Sequence, residues 1–276
     1  MAIAVMEPLC VWQLVLVTCL LVIPILYQTS KQFKYYVKIA VYFLCSLFIG
    51  CGVIICSLRR PRNPKNHFVV SFSVRAFLSD LLGIELIVRE EERLKKDEPF
   101  IIVLNHQSSL DMIPLFRIWP DNCVSVAKKE LIWTTGTFGP GAWLCGTVYI
   151  NRLNSESARK TIEETATLIK NRRLKIAIFP EGTRNHSGSM LPFKKGAFHL
   201  AVQAQVPIVP VVISSYKHFY SKKEKIFDEG RVIVEILPPI PTTGLTSADV
   251  TSLTEKTRSI MLECFQKISE EATARK

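Results

Sequence analysis

Charged residues are nearly absent from the first 58 positions, which contain only four of them: Glu7, Lys31, Lys34 and Lys38. Two runs in this segment, Leu9–Tyr27 and Ile39–Leu58, carry no charge at all. Each is about as long as the roughly 20 residues that cross the hydrocarbon core of a bilayer. A cleaved signal peptide begins with basic residues, and this N-terminus has none before the first run. Because neither run has a polar face, we predict two retained membrane helices rather than buried core helices.

The cysteines lack the spacing of a metal site or a disulfide framework. Five of the eight lie in the two apolar runs, and the others are widely separated: Cys123, Cys145 and Cys264. No C-x-x-C pair occurs, so we predict free thiols and no bound metal.

The chain has a formal net charge of +11 but no nucleic-acid recognition motif. We therefore expect no nucleic-acid partner.

Most of the positive charge lies outside the apolar runs. Four basic residues follow the second run directly: Arg59, Arg60, Arg62 and Lys65. Such a cluster is attracted to anionic lipid and is typical of a cytoplasmic flank. The three lysines between the runs weaken this orientation signal, so a shallow hairpin in one leaflet fits as well as two spans. We divide the chain into a membrane anchor with its basic flank, residues 1–65, and a second domain, residues 66–276.

Short apolar runs rich in β-branched residues alternate with helical stretches in the second domain. The runs predict strands buried on both faces, at Phe100–Leu104, Lys175–Phe179 and Ile208–Ile213. Helices are expected at Ser155–Arg173, Phe198–Gln205 and Leu253–Ser269. The alternation predicts an α/β fold with a mixed, partly parallel sheet flanked by helices. The apolar stretch Leu131–Ile150 contains too many glycines for a spanning helix.

A histidine precedes an aspartate by five residues directly after the first predicted strand, in the sequence Asn105–Asp111. On a regular helix the side chains of His106 and Asp111 would point about 140° apart, whereas a turn would let them hydrogen-bond. A carboxylate that holds one imidazole nitrogen leaves the other free to remove a proton from a hydroxyl. Ser108 and Asp111 also match a helix-capping pattern, so Asp111 could serve only the helix start. Spacing alone leaves both interpretations open.

A second polar cluster follows the strand predicted at Lys175–Phe179. Residues Pro180–Arg184 place a carboxylate, a glycine, a hydroxyl and a guanidinium next to one another. Ligands bind at the carboxyl ends of strands in α/β sheets, and the planar guanidinium fork suits phosphate oxygens. The alternative is a tight turn with an exposed ion pair.

Taken in order, these motifs resemble the signature blocks of the glycerolipid acyltransferases. His106 to Asp111 is similar to the first block and Phe179–Arg184 to the third. Lys128–Leu131 with Gly146–Arg152 resembles the second, and Val206–Pro210 the fourth. The resemblance covers roughly residues 99–214. Within the family, the chain is most similar to the animal 1-acylglycerol-3-phosphate acyltransferases in its length, its two N-terminal helices and the residues of its blocks. Tyr149 stands where many relatives have phenylalanine.

The resemblance implies an enzyme that acylates lysophosphatidic acid. In that reaction His106, oriented by Asp111, would deprotonate the sn-2 hydroxyl, and the oxygen would attack the thioester of acyl-CoA without an acyl-enzyme. The products would be phosphatidic acid and free coenzyme A. The resemblance implies acyl-CoA as a co-substrate and no permanently bound cofactor.

The resemblance also implies residues that bind the substrates. Lys128 and Arg184 match phosphate-binding positions, and Arg152 is a further candidate. Glu181, Gly182 and Thr183 are expected to shape the pocket.

Membrane attachment agrees with these substrates. Each methylene moved out of water contributes about 0.8 kcal/mol, so a long-chain lysolipid resides in the bilayer. We expect the protein in the endoplasmic reticulum membrane, with its catalytic domain facing the cytosol.

Two alternative functions stay open. The enzyme could use another acceptor, such as glycerol 3-phosphate or a different lysophospholipid, or the protein could be an inactive lipid-binding relative.

Overall fold

The computed structural model describes residues 8–150 and 155–274, with the side chains of residues 8–11, 19 and 155–160 left out. Two long helices begin the chain, α1 (Pro8–Thr29) and α2 (Lys31–Ser57). At 1.5 Å per residue they are about 33 and 40 Å long. Both are long and apolar enough to cross a membrane. Ser30 separates them, and its hydroxyl caps α2 by accepting a hydrogen bond from the amide of Phe33.

A seven-stranded sheet forms the centre of the second domain, in the spatial order β1-β9-β6-β2-β5-β3-β4. Its strands are β1 (Ile84–Arg89), β2 (Ile101–Leu104), β3 (Cys123–Lys128), β4 (Val148–Ile150), β5 (Lys175–Ile178), β6 (Ile208–Ile213) and β9 (Gly230–Ile236). The five strands from β6 to β4 are parallel. β9 runs antiparallel to β6, and β1 is parallel to β9. The expected mixed, partly parallel sheet is confirmed.

Helices cover both faces of this sheet. The shorter ones are α3 (Phe68–Ser73), α4 (Ser79–Leu81), α5 (Met112–Arg117), α6 (Leu131–Thr134) and α7 (Phe138–Leu144). The longer ones are α8 (Ser155–Arg172), α9 (Gly196–Ala204) and α10 (Val250–Ala274). A small separate hairpin consists of β7 (Tyr220–Ser221) and β8 (Ile226–Phe227). As expected, the apolar stretch 131–150 is not one helix, because it divides into α6, α7 and β4.

Strand β2 explains why the central strands are apolar at every position. Ile102 and Leu104 face a cluster that includes residues of α2 and α5, whereas Ile101 and Val103 face the cluster formed with α8, α9 and α10. All four side chains are completely buried. Successive side chains point to opposite faces, and here both faces are covered.

Helix α2 has one face toward lipid or solvent and one face toward the second domain. Large apolar side chains such as Phe43 and Phe48 are exposed, while Gly50 and Val53 are buried. A methyl group on Gly50 would lie only 2.4 Å from the Thr137 hydroxyl, so a glycine is needed where α7 approaches. The Thr137 hydroxyl donates to the carbonyl of Leu47 at 3.2 Å. The proposed domain boundary after residue 65 therefore divides a packed unit, and it stays a prediction.

Candidate active site

The turn after β2 brings His106 and Asp111 together. The strand ends at Leu104, and a short 3-10 turn, Ser109–Asp111, begins after the capping residue Ser108. His106 Nδ1 lies 2.7 Å from Asp111 Oδ2. The His106 side chain is 15% exposed, so a substrate can reach its ring, whereas the Asp111 side chain is fully buried. The pair therefore has the geometry of a general base with an orienting carboxylate.

Asp111 both caps the turn and contacts the histidine. Besides His106, its Oδ2 accepts hydrogen bonds from the amide of Gln107 at 2.6 Å and the amide of Ser108 at 2.9 Å. The capping interpretation and the catalytic interpretation therefore concern the same atom. The buried Tyr216 lies beside this carboxylate, and burial followed by the charge of Asp111 raises the pKa of Tyr216 well above its usual value. Its hydroxyl stays protonated at physiological pH.

The same two amides bear on where a developing oxyanion could bind. Such an oxyanion requires hydrogen-bond donors, and backbone amides near the start of the turn after Ser108 are one possible source. The amides of Gln107 and Ser108 are already occupied by Asp111. Oxyanion donors must therefore come from other groups around the turn.

Glu181 connects the third motif to the backbone of the first. Its Oε1 accepts from the amide of His106 at 2.7 Å, and its Oε2 accepts from the amide of Leu191 at 2.9 Å. The carbonyl of His106 accepts from the amide of Asn185 at 2.8 Å. Glu181 is buried, and burial raises the pKa of its carboxyl group against the opposing effect of the two amides. Glu181 therefore links the turn after β5 to the backbone of His106 and Leu191 rather than facing solvent.

Phe179 fixes the orientation of the imidazole. Its ring stacks on that of His106 with centroids 4.1 Å apart and an interplanar angle of 24°. Phe179 follows directly after β5, which pairs with β2. The neighbouring parallel strands thus place the first and third motifs side by side at one edge of the sheet.

Those expected binding residues that the structure describes lie at the same edge. Gly182 has a φ of 71°, a left-handed conformation that favours glycine, and it lets the chain turn after Glu181. Thr183 and Arg184 are exposed on this turn. Lys128 is exposed at the carboxyl end of β3, two strands from β2. Arg152 lies outside the described residues.

Two amide side chains that were not among the predicted site residues hold the turn after β2. Asn105 exchanges hydrogen bonds with the backbone of Ile213, donating at 2.9 Å and accepting at 2.8 Å. Gln107 donates to the carbonyls of Ile213 and Ser214. Both are buried and hydrogen-bonded. The signal available in the sequence was that an amide residue stands on each side of the candidate histidine.

Comparison with known proteins places this geometry in a family. The family model described as Acyltransferase matches residues 85–214, from the first strand to the end of β6. The 1-acyl-sn-glycerol-3-phosphate acyltransferase alpha of Homo sapiens is 43% identical over 90% of this chain and 87% of its own length. The chain belongs to the acyltransferase family. The human beta enzyme is 42% identical over 92% of this chain and 91% of its own length.

The acyltransferase fold is also found in a solved structure. The crystal structure of the 1-acyl-sn-glycerophosphate (LPA) acyltransferase PlsC from Thermotoga maritima matches with a TM-score of 0.64 and 26% identity. The match covers 86% of this chain and 94% of that chain. The resemblance inferred from the sequence motifs is thus confirmed for the family and for the fold. The individual roles of the site residues stay predictions.

Proposed function

We propose that this acyltransferase transfers a fatty acyl group from acyl-CoA to the sn-2 hydroxyl of lysophosphatidic acid. The observation that carries the proposal is the 2.7 Å contact between His106 Nδ1 and Asp111 Oδ2 at the carboxyl end of a central strand. A histidine held in this way presents its second nitrogen to a hydroxyl. The names of the relatives and of the solved structure support the choice of acceptor.

In the proposed reaction, the second imidazole nitrogen of His106 removes the proton from the sn-2 hydroxyl as its oxygen attacks the thioester carbonyl. The tetrahedral intermediate collapses with cleavage of the carbon–sulfur bond. The coenzyme A sulfur leaves and takes the proton that His106 holds. Asp111 stabilises the transient imidazolium, so the protein itself forms no covalent bond to the acyl group.

Two exposed cations support a phosphorylated acceptor. Arg184 lies on the turn that Glu181 connects to His106, and Lys128 lies at the end of β3. A guanidinium can hold two phosphate oxygens in parallel hydrogen bonds, while an ammonium contributes a point charge. Arg184 is therefore proposed to orient the phosphate of the acceptor while its hydroxyl reaches His106.

An open cleft of about 370 Å³ beside β4 and the end of β3 supports acyl-CoA as the donor. Its lining includes Arg62, Lys129 and Trp143. The Arg62 guanidinium lies 5.9 Å from the centre of the Trp143 ring. Cations beside an aromatic surface suit the phosphates and the adenine ring of coenzyme A.

We further propose that the two N-terminal helices sit in one leaflet rather than crossing the bilayer. Helix α2 contacts the second domain near its start, through Lys34 and Asp228, and again through Val53 and Gly141 close to its end. A helix perpendicular to the membrane with such contacts would pull this charged domain into hydrocarbon. The endoplasmic reticulum and a cytosol-facing site are proposed from the family resemblance and the basic flank.

A panel of acceptors tests the proposed function. The full chain, purified in detergent, is given one acyl-CoA with lysophosphatidic acid, glycerol 3-phosphate or lysophosphatidylcholine, and coenzyme A release is measured. We expect kcat/KM to be at least tenfold higher with lysophosphatidic acid. A preference for either other acceptor contradicts the acceptor assignment. Absence of coenzyme A release with all three would favour the inactive lipid-binding alternative.

A further inference from the structure

Polar side chains of α2 contact the second domain at intervals of four residues. Lys34 Nζ lies 3.1 Å from Asp228 Oδ1. Lys38 Nζ donates to the carbonyls of Leu82 at 2.7 Å and Asp228 at 3.0 Å. Residues four apart lie on one face of a helix, and the next position in this series is Tyr42. A helix that served only as a lipid anchor would not need this polar row.

Tyr42 reaches the catalytic turn itself. Its hydroxyl donates to the carbonyl of Ser109 at 2.8 Å. Ser109 is the first residue of the 3-10 turn that ends at Asp111, and its carbonyl also accepts from the amide of Met112. The Tyr42 side chain is only 6% exposed, and it belongs to the same buried cluster as Leu110 and Ile113 on either side of Asp111.

The hydrogen bond from Tyr42 to the Ser109 carbonyl lies on the turn that carries Asp111, so its loss would affect the catalytic pair. The turn sets where the Asp111 carboxylate lies, and His106 is held at 2.7 Å from that carboxylate. A displacement of about 1 Å in a catalytic group can cost a hundredfold in rate. The Tyr42 hydroxyl joins α2 directly to the backbone of this turn, so it can limit such displacement.

We propose that Tyr42 is a positioning residue of the acyl transfer reaction, which makes α2 a support of the active site as well as a membrane anchor. The proposal rests on the proposed role of His106 and Asp111. Tyr42 does not touch the reacting atoms. It acts through the Ser109 carbonyl by fixing the turn on which Asp111 lies. Full activity then requires that α2 packs against the second domain.

The test compares Tyr42→Phe with Tyr36→Phe in the full chain. Tyr42→Phe keeps the buried ring and removes only the hydroxyl, while Tyr36 is 56% exposed on the same helix and serves as the matched control. Loss of one buried hydrogen bond at this position is expected to lower kcat roughly tenfold. The KM for acyl-CoA and the membrane-bound fraction should be unchanged. Retention of more than half of wild-type kcat overturns the proposal.

A double-mutant cycle separates positioning from a general loss of stability. If Tyr42 acts through the turn that carries Asp111, its effect should shrink from tenfold to less than about threefold when Asp111→Asn is already present. Tyr36→Phe should have no effect in either background. A full tenfold effect of Tyr42→Phe in the Asp111→Asn protein would contradict the proposal.

Hydrogen exchange gives a readout that does not depend on turnover. In Tyr42→Phe, faster amide exchange is expected in the peptide covering residues 106–117 and not in the strands β2, β5 and β6. Faster exchange throughout the sheet, or no change in the 106–117 peptide, overturns the positioning role. If wild-type protein shows no acyl transfer, the proposed function fails, and the exchange experiment still decides whether Tyr42 holds the turn.

Discussion

Replacement of Asp111 by asparagine separates the capping role of this residue from its catalytic role. The carboxylate oxygen Oδ2 accepts three hydrogen bonds, from His106 Nδ1 and from the amides of Gln107 and Ser108. An asparagine oxygen in the same place can accept all three. What it cannot supply is the negative charge opposite a protonated imidazole.

The expected magnitude follows from that difference. A hydrogen bond to a charged group contributes about 1.5–3 kcal/mol and a neutral one about 1 kcal/mol, so the neutral amide stabilises the imidazolium less by about 0.5–2 kcal/mol. Loss of the long-range attraction adds to this, because Asp111 is fully buried. We expect kcat to fall about 30- to 300-fold, which corresponds to about 2–3.4 kcal/mol at 1.36 kcal/mol per factor of ten.

The stability should change much less than the activity. The two amide hydrogen bonds weaken, but the variant no longer buries a charge, and these effects oppose each other. We expect the free energy of unfolding to change by less than about 1.5 kcal/mol.

Two measurements on detergent-purified protein check this prediction: coenzyme A release with saturating substrates, and thermal unfolding. Asp97→Asn is the matched control, because the Asp97 side chain is fully exposed. Wild-type activity in Asp111→Asn would refute the catalytic pair. Activity that falls only in proportion to the unfolded fraction would leave capping as the sole role of Asp111.

Three further substitutions test the surroundings of the pair. Arg184→Lys should raise the acceptor KM or lower kcat with little change in the acyl-CoA KM, and an effect confined to acyl-CoA would move Arg184 to the donor site. Lys129→Gln should raise the acyl-CoA KM severalfold and leave the acceptor KM unchanged; the opposite pattern would contradict the donor cleft. Glu181→Gln should destabilise the fold by about 1–3 kcal/mol in thermal unfolding and reduce kcat, because its new NH₂ group must face a backbone amide of His106 or Leu191. Glu92→Gln is the matched control for Glu181→Gln, because the Glu92 side chain is 81% exposed. It should change neither the thermal unfolding nor kcat.

The sequence predicted those elements whose signal is local. Strands β2, β5 and β6 were found to within a residue, because two-sided burial makes them uniformly apolar. The edge strand β1 was not predicted, since Glu85 and Arg89 interrupt its apolar pattern. Strand β9 was not predicted either, and its antiparallel direction depends on the path of the whole chain and not on local composition.

The candidate site likewise has local contacts that the sequence predicts and long-range contacts that it does not. The proximity of His106 and Asp111 followed from a strand that runs into a turn, and the structure has this geometry. The contacts of Glu181 with the His106 amide and of Tyr42 with the Ser109 carbonyl span 75 and 67 positions. No local pattern encodes such contacts. The family resemblance implied that Glu181 shapes the pocket, whereas Tyr42 was predicted only as part of a membrane helix.

Acyl transfer by wild-type protein and by His106→Ala under identical conditions tests the role of His106 most directly. Both proteins are purified in detergent and incubated with lysophosphatidic acid and an isotope-labelled acyl-CoA, and mass spectrometry follows the label. We expect labelled phosphatidic acid and coenzyme A in equal amounts from the wild type. We expect a rate about 10²–10⁴-fold lower from a folded His106→Ala protein, since a general base contributes that much. Label attached to the protein, or more than a tenth of the wild-type rate in His106→Ala, would contradict the assignment of His106 as the base.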